Sequence, residues 1–358
     1  MNYLIGVDVG TTSTKAVLYD EHAHVIDQFT QGYPLYRDSN GMAEQDPEKM
    51  VAAVEQVIHD AGQQIDFANE KLLAVSFSSA NQSLILLDEH FQPQSRVITW
   101  ADTRARNAAD QLKRSPLGKQ LYAKTGTPIH PMSPLTKLLW LKDTAPERLA
   151  AASYFGDIKS YLFYRFFNSF KVDISIASCT GMMNINSGDW DPTALELTGV
   201  KKDQLPEIVN GTTQASGLTN EAVAQMGIPA ETPFVYGAFD GALSNLGVGA
   251  IQQDTVAITI GTSAGVRVIT DHPVIDPQER LFCYAVDNGL WVVGGPLNNG
   301  GDVYQWAVEH LVTPSAVQNE QTDPFTLANR VIEGEPAGAN GLIFLPFLGG
   351  ERAPLWDA

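Results

Sequence analysis

Residues 3–19 read YLIGVDVGTTSTKAVLY, and their pattern is the first indication of the fold. A short apolar run ends at Gly10-Thr11-Thr12, and a second apolar run, 16–19, follows and stops at Asp20. Two short apolar runs around a turn of small polar residues predict a β-hairpin. Glycine lets the backbone approach a ligand closely, and the neighbouring hydroxyls can hydrogen-bond to phosphate. The hairpin is therefore a candidate phosphate-binding element.

The same pattern returns late in the chain, where residues 255–271 read TVAITIGTSAGVRVITD. At an offset of 251 residues, Gly10 falls on Gly261 and Asp20 falls on Asp271. Coincidence between two apolar hairpins is the alternative, but the repeat favours two related domains that each open with this hairpin. Fewer than a hundred residues follow the second hairpin, so we expect the second domain to be incomplete in this chain.

The composition excludes several classes of protein. The 358-residue chain has a net charge of −18, which argues against a nucleic acid or an anionic membrane surface as partner. Its two cysteines, Cys179 and Cys283, are too few for a disulfide framework and suit buried thiols in a reducing compartment. Asp8 interrupts the only early apolar run, and no run is long enough to span a membrane. We therefore expect a cytoplasmic protein.

Between the two hairpins, helix and strand signals alternate as in an α/β protein. Asp46 is a good N-cap and Pro47 a good first helical residue, and Ser133-Pro134 begins a second helix in the same way. Strands are predicted over residues 72–77, 84–87 and 233–236. A glycine-containing stretch before the second hairpin predicts a boundary that gives domains of 1–247 and 248–358.

Two carboxylates are candidates for chemistry. Asp8 directly precedes the first turn, where a carboxylate can hold the waters of a Mg²⁺ ion. Asp240 follows an apolar strand, and a carboxylate facing a cleft between domains can take the proton of an attacking hydroxyl. The alternatives are a hairpin that Asp8 merely caps and a turn that Asp240 forms with Gly241. Neither a Walker A spacing nor G-x-G-x-x-G is present.

Six segments resemble, in order, landmarks of the FGGY carbohydrate kinases, which belong to the actin, hexokinase and Hsp70 superfamily. They are residues 6–15, 100–104, 132–141, 237–241, 261–263 and 349–354. The resemblance covers essentially the whole chain and implies two ribonuclease-H-like domains around a cleft. It departs slightly at Thr144, where the family usually has an amide, an acid or His.

The resemblance implies ATP and Mg²⁺ as cosubstrate and cofactor, with Asp240 as the catalytic base and Asp8 beside the metal, through water. From the hairpins and the resemblance together, the residues expected to bind ATP or its phosphates are Gly10, Thr11, Thr12, Ser13, Lys15, Gly261, Thr262, Gly301 and Gln305. The residues expected to bind the substrate are Asn81, Gln82, Trp100, His130, Met132 and Asp240. Family members usually continue beyond the position of Pro354 through an adenine-binding segment, which puts the nucleotide affinity of this chain in question.

Within the family, residues 78–85 and 130–137 are most similar to gluconate kinases, which convert D-gluconate to 6-phospho-D-gluconate. Gln82 departs from them, since they usually carry His there. His130 is expected either to meet the carboxylate of a sugar acid or to stabilise the loop before Pro131. A kinase for xylulose or another polyol or ketose is one alternative, and a non-catalytic sugar-sensing protein is another. Dimers are frequent in the family, so a homodimer is among the expectations.

Overall fold

The computed structural model describes residues 1–287, 289–312, 323–348 and 350–357. Gly349, which belongs to the last of the six segments, lies outside the described residues. The structure has two main β-sheets, one formed by strands that precede Val256 and one formed by strands from Val256 onward. The parts of the chain that carry these sheets are called the first lobe and the second lobe.

The first lobe mixes short and long strands with helices. Its strands are β1 (Asn2–Val9), β2 (Ser13–Asp20), β3 (Val25–Gly32), β4 (Leu35–Arg37), β5 (Ala43–Gln45), β6 (Lys71–Ser79), β7 (Ile85–Leu87), β8 (Val97–Ile98), β9 (Tyr154–Gly156), β10 (Lys171–Asp173), β11 (Met183–Asn184), β12 (Asp189–Trp190), β13 (Glu207–Val209), β14 (Gln214–Ala215) and β15 (Phe234–Phe239). Its helices are α1 (Pro47–Gly62), α2 (Arg106–Lys113), α3 (Pro116–Thr125), α4 (Pro134–Thr144), α5 (Pro146–Ala151), α6 (Ile158–Phe167), α7 (Ile174–Ser178), α8 (Pro192–Thr198), α9 (Asn220–Met226) and α10 (Asp240–Gly247), with a 3₁₀ turn at Lys202–Gln204.

The main sheet of the first lobe has the strand order β14-β15-β6-β1-β2-β3. Strands β1, β2 and β3 are antiparallel, as the predicted hairpin requires, whereas β6 and β15 run parallel to β1. Alternate residues of β1 are buried, which is the pattern of a strand with one face on a core. The mixed sheet agrees with the expected ribonuclease-H-like domain, and it brings the ends of β1 and β15 to the same edge.

The predicted helix starts are confirmed. The Asp46 side chain accepts hydrogen bonds from the backbone N–H groups of Glu48 and Lys49, and Pro47 opens α1. The apolar face of α1, which includes Met50 and Val54, is buried against the sheet. Ser133 caps α4 in the same manner.

The second lobe opens with the predicted hairpin. It contains β16 (Val256–Ile260), β17 (Ala264–Thr270), β18 (Phe282–Asp287), β19 (Leu290–Leu297), α11 (Gly301–Ala307), a π-helical turn at Val308–Val312, α12 (Pro324–Glu333) and a 3₁₀ turn at Ala339–Gly341. The four strands form an antiparallel sheet of order β16-β17-β19-β18. No parallel strand is added to it by the part of this lobe that the structure describes.

The two hairpins differ in the length of their turns. In the first, the last strand pair is Val9 with Thr14, so four residues form the loop. In the second, the last pair is Ile260 with Ala264, which leaves three. The repeat found in the sequence therefore holds up to the turn, and beyond it the strand pairing shifts by one residue.

The lobes share one hydrophobic cluster beside the cleft. Met132 and Phe239 of the first lobe and Phe282 and Trp356 of the second belong to it. Both cysteines are buried and free, as expected. Among the described residues, no helix combines the length and the apolar character needed to cross a bilayer.

Candidate active site

A cavity of about 240 Å³ lies between the two lobes. Thr11 from the first turn, Ser263 from the second turn and Asp240 from the start of α10 line it together. The predicted substrate residues Asn81, Gln82, Trp100 and Met132 also line it, and so do Arg267, Tyr284 and Arg352. The structure thus brings the candidate base and one residue of each turn to a single space.

Asp240 occupies the point where β15 gives way to α10. Its carboxylate is open to the cavity, and Oδ1 accepts a hydrogen bond from the Gly241 N–H at 2.6 Å. Protein surrounds the group on its other sides, and this partial desolvation, together with the negative charge of Asp8, raises the pKa of Asp240 to about 6. Asp240 is therefore a stronger base than an ordinary aspartate, yet it is mainly ionised at neutral pH.

A buried network fixes the strand that ends at Asp240. Lys159 is fully buried, and its Nζ contacts Asp173 Oδ2 at 2.7 Å, the Tyr236 carbonyl at 3.1 Å and the Ala238 carbonyl at 3.2 Å. The Phe239 N–H donates to Ser175 Oγ at 2.9 Å, and this hydroxyl in turn donates to Asp173. The backbone just before the base is thus held by three side chains that the sequence did not single out.

A glycine permits the bend in β15. Gly237 has φ +65°, and a Cβ at this position would overlap the carbonyl oxygen of Phe77 in the neighbouring strand. The pairing of β15 with β6 is irregular there. An L-residue would meet both the unfavourable dihedral angle and the clash.

The first turn is held by side chains from outside the hairpin. The Tyr33 hydroxyl donates to the Gly10 carbonyl at 2.7 Å, and Gln45 Nε2 donates to the Thr11 carbonyl at 2.5 Å. Trp100 Nε1 donates to Thr11 Oγ1 at 2.9 Å. Thr11 therefore joins the expected phosphate side of the cavity to the expected sugar side.

Asp8 lies at the end of β1 with its carboxylate exposed. Ser78 Oγ donates to Asp8 Oδ1 at 2.7 Å, and Lys15 is the directly opposite residue in β2, so both side chains are on the same face of the sheet. The negative charge of Asp8 repels the carboxylate of Asp240 and contributes to the raised pKa of Asp240. Two carboxylates that repel each other beside a cleft fit a divalent cation, which prefers oxygen ligands.

A buried lysine holds the loops that carry the sugar-side residues. Lys137 Nζ donates to the carbonyls of Gln82 at 2.6 Å and Met132 at 2.7 Å, and burial lowers the pKa of Lys137 to about 7. Gln82 has φ +61°, and its Nε2 donates to the Tyr284 hydroxyl at 3.1 Å. Asn81 Nδ2 donates to Cys179 Sγ at 3.2 Å. Gln82 therefore links the two lobes as well as facing the cavity.

His130 does not line the cavity. It is buried, its Nδ1 accepts from the Met132 N–H at 3.3 Å, and its ring stands edge-on to Trp356. Burial lowers the pKa of His130 to about 3, so the ring is neutral at pH 7. A neutral, enclosed imidazole cannot supply a charge to a substrate carboxylate, and this geometry favours the expectation that His130 stabilises its loop.

The predicted nucleotide residues of the second lobe lie in the second turn and on α11. Gly261 and Thr262 are exposed in that turn, and the Gly301 N–H donates to the Gly261 carbonyl at 2.7 Å. Gln305 is on α11, where its side chain donates to Glu309 at 2.8 Å. Of the predicted ATP and phosphate residues, Thr11 alone lines the main cavity. The others do not line it, and they are Gly10, Thr12, Ser13, Lys15, Gly261, Thr262, Gly301 and Gln305.

Several residues of the cavity wall could not be predicted from the sequence, among them Arg267, Tyr284 and Arg352. Arg352 stacks over the Trp100 ring at 5.3 Å from its centroid, and its Nε donates to Asn298 Oδ1 at 2.7 Å. It lies within the last recognised segment, so that segment was the available signal. Arg267 and Tyr284 are on β17 and β18, and no sequence motif assigned them a role.

The chain is similar to known carbohydrate kinases in both of its lobes. The FGGY family of carbohydrate kinases matches twice, through its N-terminal domain over residues 3–247 and its C-terminal domain over residues 256–358. The gluconokinase of Bacillus subtilis (strain 168) is 43% identical over 359 residues, which cover 99% of this chain and 69% of that enzyme. Three xylulose kinases among the relatives are only 25 to 26% identical.

Two solved structures from Lactobacillus acidophilus superpose on the whole chain. One, described as a ligand-bound xylulose kinase, has a TM-score of 0.94 at 40% identity and is covered over 71% of its length. The other, described as a gluconate kinase, has a TM-score of 0.93 at 40% identity and is covered over 70%. The matches span both lobes and agree with the paired turns and the carboxylate between them. The chain belongs to the FGGY family of carbohydrate kinases.

Proposed function

We propose that this protein transfers the terminal phosphoryl group of ATP to the 6-hydroxyl of D-gluconate, giving 6-phospho-D-gluconate. The observation that carries the proposal is the position of Asp240, whose pKa is raised to about 6, in a cavity that both hairpin turns line. The 43% identity to a gluconokinase over almost the whole chain supports gluconate as the acceptor.

In the proposed reaction, Asp240 accepts the proton of the sugar hydroxyl while that oxygen forms a bond to the γ-phosphorus. The bond from phosphorus to the oxygen of the leaving ADP breaks in the same step. Little covalent chemistry is required of the protein, because phosphoryl transfer depends mainly on positioning and charge neutralisation. Closure of the two lobes on ATP and the sugar is proposed to exclude water that would otherwise compete as acceptor.

The turns are proposed to hold the phosphates. Gly10 and Gly261 let the backbone approach closely, and the hydroxyls of Thr12 and Thr262 are exposed for hydrogen bonding. Thr11, Ser13 and Lys15 complete the proposed grip of the first turn, and Gly301 and Gln305 are proposed to lie near the nucleotide.

A Mg²⁺ ion is proposed to accompany ATP. Asp8 would hold it through water, because its carboxylate is exposed and keeps one oxygen that Ser78 does not engage. When bound, the ion supplies positive charge that neutralises the phosphates and screens Asp8 from Asp240.

We propose that residues 1–247 carry the sugar and phosphate contacts, and that residues 248–358 belong to the nucleotide-binding domain. A cytoplasmic location is proposed from the two free, buried thiols, which suit a reducing compartment. A homodimer stays a prediction, which sedimentation would test.

The proposal is tested by a coupled assay of ADP release over a panel of aldonates, polyols and ketoses. Gluconate is expected to give the highest kcat/KM. Xylulose is the second candidate, because one of the two 40% identical structures is described as a xylulose kinase. Preference for xylulose would replace the substrate assignment, whereas sugar binding without any ADP release would favour a sensor.

A further inference from the structure

The guanidinium of Arg267 lines the cavity, and the proposed reaction gives it no role. Arg267 extends from β17 into the cavity and is half-buried. Its Nη1 is 3.4 Å from Thr259 Oγ1, and it takes part in none of the ion pairs that the described residues form. Arg352, in contrast, is engaged by Asn298, by the Leu297 carbonyl and by the Trp100 ring.

Two glycines define where this guanidinium lies. A Cβ added to Gly241 would be 3.0 Å from Arg267 Nε, and a Cβ added to Gly265 would be 3.3 Å from Arg267 Nη1. Gly241 directly follows Asp240, and Gly265 follows the second turn by two residues. The Arg267 head group therefore sits between the candidate base and the turn proposed to hold phosphate.

The electrostatics of this position favour an anionic ligand. Burial lowers the pKa of Arg267, while the charge of Asp240 acts in the opposite direction without forming an ion pair. A cation that has lost part of its hydration, and that has no carboxylate partner among the residues of the structure described above, gains most from an anion that enters the cavity.

We propose that Arg267 is a further catalytic residue, whose guanidinium contacts the phosphoryl group as it passes from the nucleotide to the sugar hydroxyl. This rests on the proposed function. The phosphorus must reach the oxygen that Asp240 deprotonates while the second turn still holds the nucleotide, and Arg267 lies between those two points. The planar fork of arginine matches two oxygens of a phosphoryl group, whose charge is spread over three in the transition state.

The carboxylate of gluconate is a less suitable partner for Arg267. In a six-carbon aldonate the carboxylate is at the opposite end of the chain from the 6-hydroxyl. A cation next to the base that deprotonates this hydroxyl therefore meets the transferred phosphoryl group first. The same geometry places Arg267 against the phosphate of the product.

The test compares Arg267→Gln with the wild type and with Arg96→Gln, a control arginine that stacks on Tyr36 and does not line the cavity. Calorimetry measures binding of gluconate and of 6-phosphogluconate to each protein. Because Arg267→Gln removes a charged hydrogen bond to the phosphate, we expect it to weaken binding of 6-phosphogluconate about tenfold to a hundredfold, while gluconate affinity changes less than about threefold. The control should leave both affinities and the melting temperature unchanged.

Turnover gives a second readout. Arg267→Ala is expected to lower kcat at least about a hundredfold with little change in the KM for gluconate, and added guanidinium should restore part of it. Equal losses of gluconate and 6-phosphogluconate affinity would overturn the proposal in favour of a sugar contact. Unchanged affinities and turnover, or a fall in melting temperature without a change in the affinity ratio, would overturn it too.

Failure of the proposed function has a different signature. If the wild type accepts another sugar and not gluconate, the substrate assignment fails. The affinity ratio is then measured with that sugar and its phosphate, and the same outcomes decide the role of Arg267.

Discussion

The buried Lys159–Asp173 pair supports the strand that carries the candidate base, and replacing Lys159 by Met should destabilise the protein strongly. Both side chains are 0% exposed, and the Nζ to Oδ2 distance is 2.7 Å. The substitution leaves the Asp173 carboxylate buried without a cation and two backbone carbonyls, of Tyr236 and Ala238, without this donor. Removing one partner of such a pair costs about 3–5 kcal/mol.

A matched control isolates the effect of burial. Lys202 and Asp189 form the same type of pair at 2.5 Å, but their side chains are 62% and 50% exposed. Lys202→Met should therefore cost no more than about 1 kcal/mol, because water already solvates both charges. Urea denaturation followed by circular dichroism gives the free energies of unfolding, provided that the slope is unchanged.

A double variant, Lys159→Met with Asp173→Leu, separates the missing cation from the uncompensated anion. It should recover part of the stability lost in Lys159→Met, since apolar replacements of a whole buried pair are often neutral. Equal effects of Lys159→Met and Lys202→Met on the free energy of unfolding would contradict this role of burial, and so would a double variant that is less stable than Lys159→Met.

Three further predictions concern the base, the bend before it and the first turn. The kcat/KM for the sugar should fall about tenfold per pH unit below pH 6, because Asp240 must be ionised and its pKa is raised to about 6. In Arg267→Gln this limb of the pH–rate profile should move to higher pH, since a cation that favours the ionised form of Asp240 is lost. A wild-type limb near pH 4 would contradict the raised pKa of Asp240. Gly237→Ala should destabilise the folded protein by several kcal/mol more than Gly199→Ala, because both glycines have positive φ but only Gly237 lacks room for a Cβ. Thermal melts should show this difference, and equal effects would argue against the packing explanation. Trp100→Phe keeps an aromatic ring beneath Arg352 but removes the hydrogen-bond donor to Thr11, so kcat/KM should fall about fivefold in the coupled assay. An unchanged kcat/KM would mean that this hydrogen bond has no role in turnover.

The local features of this fold could be predicted from sequence because their causes are local. Asp46-Pro47 at the start of α1 and the small residues at Gly10 act through neighbouring residues. The hairpin at Gly261 was found in the same way. The one-residue difference between the two turns was not foreseen, because strand pairing depends on cross-strand register as well as on composition.

The residues that support the site could not be predicted, because their partners are distant in sequence. Lys137 reaches a carbonyl 55 residues away at Gln82, and Lys159 reaches one 77 residues away at Tyr236. A lysine is ordinarily solvated, and nothing in the sequence marks these two as buried. His130 had two expected roles, and its enclosed, neutral ring favours the loop-stabilising one over contact with the substrate.

The proposed phosphoryl transfer depends most on Asp240 as the group that takes the proton of the sugar. Asp240→Asn retains the size and the neighbours of the side chain but removes the base. We predict that Asp240→Asn lowers kcat by a factor of about 10²–10⁴, while its gluconate affinity, measured by calorimetry, stays within about threefold of wild type. The control Asp110→Asn, an exposed substitution on α2, should change neither value. Turnover of Asp240→Asn within tenfold of wild type would contradict the account.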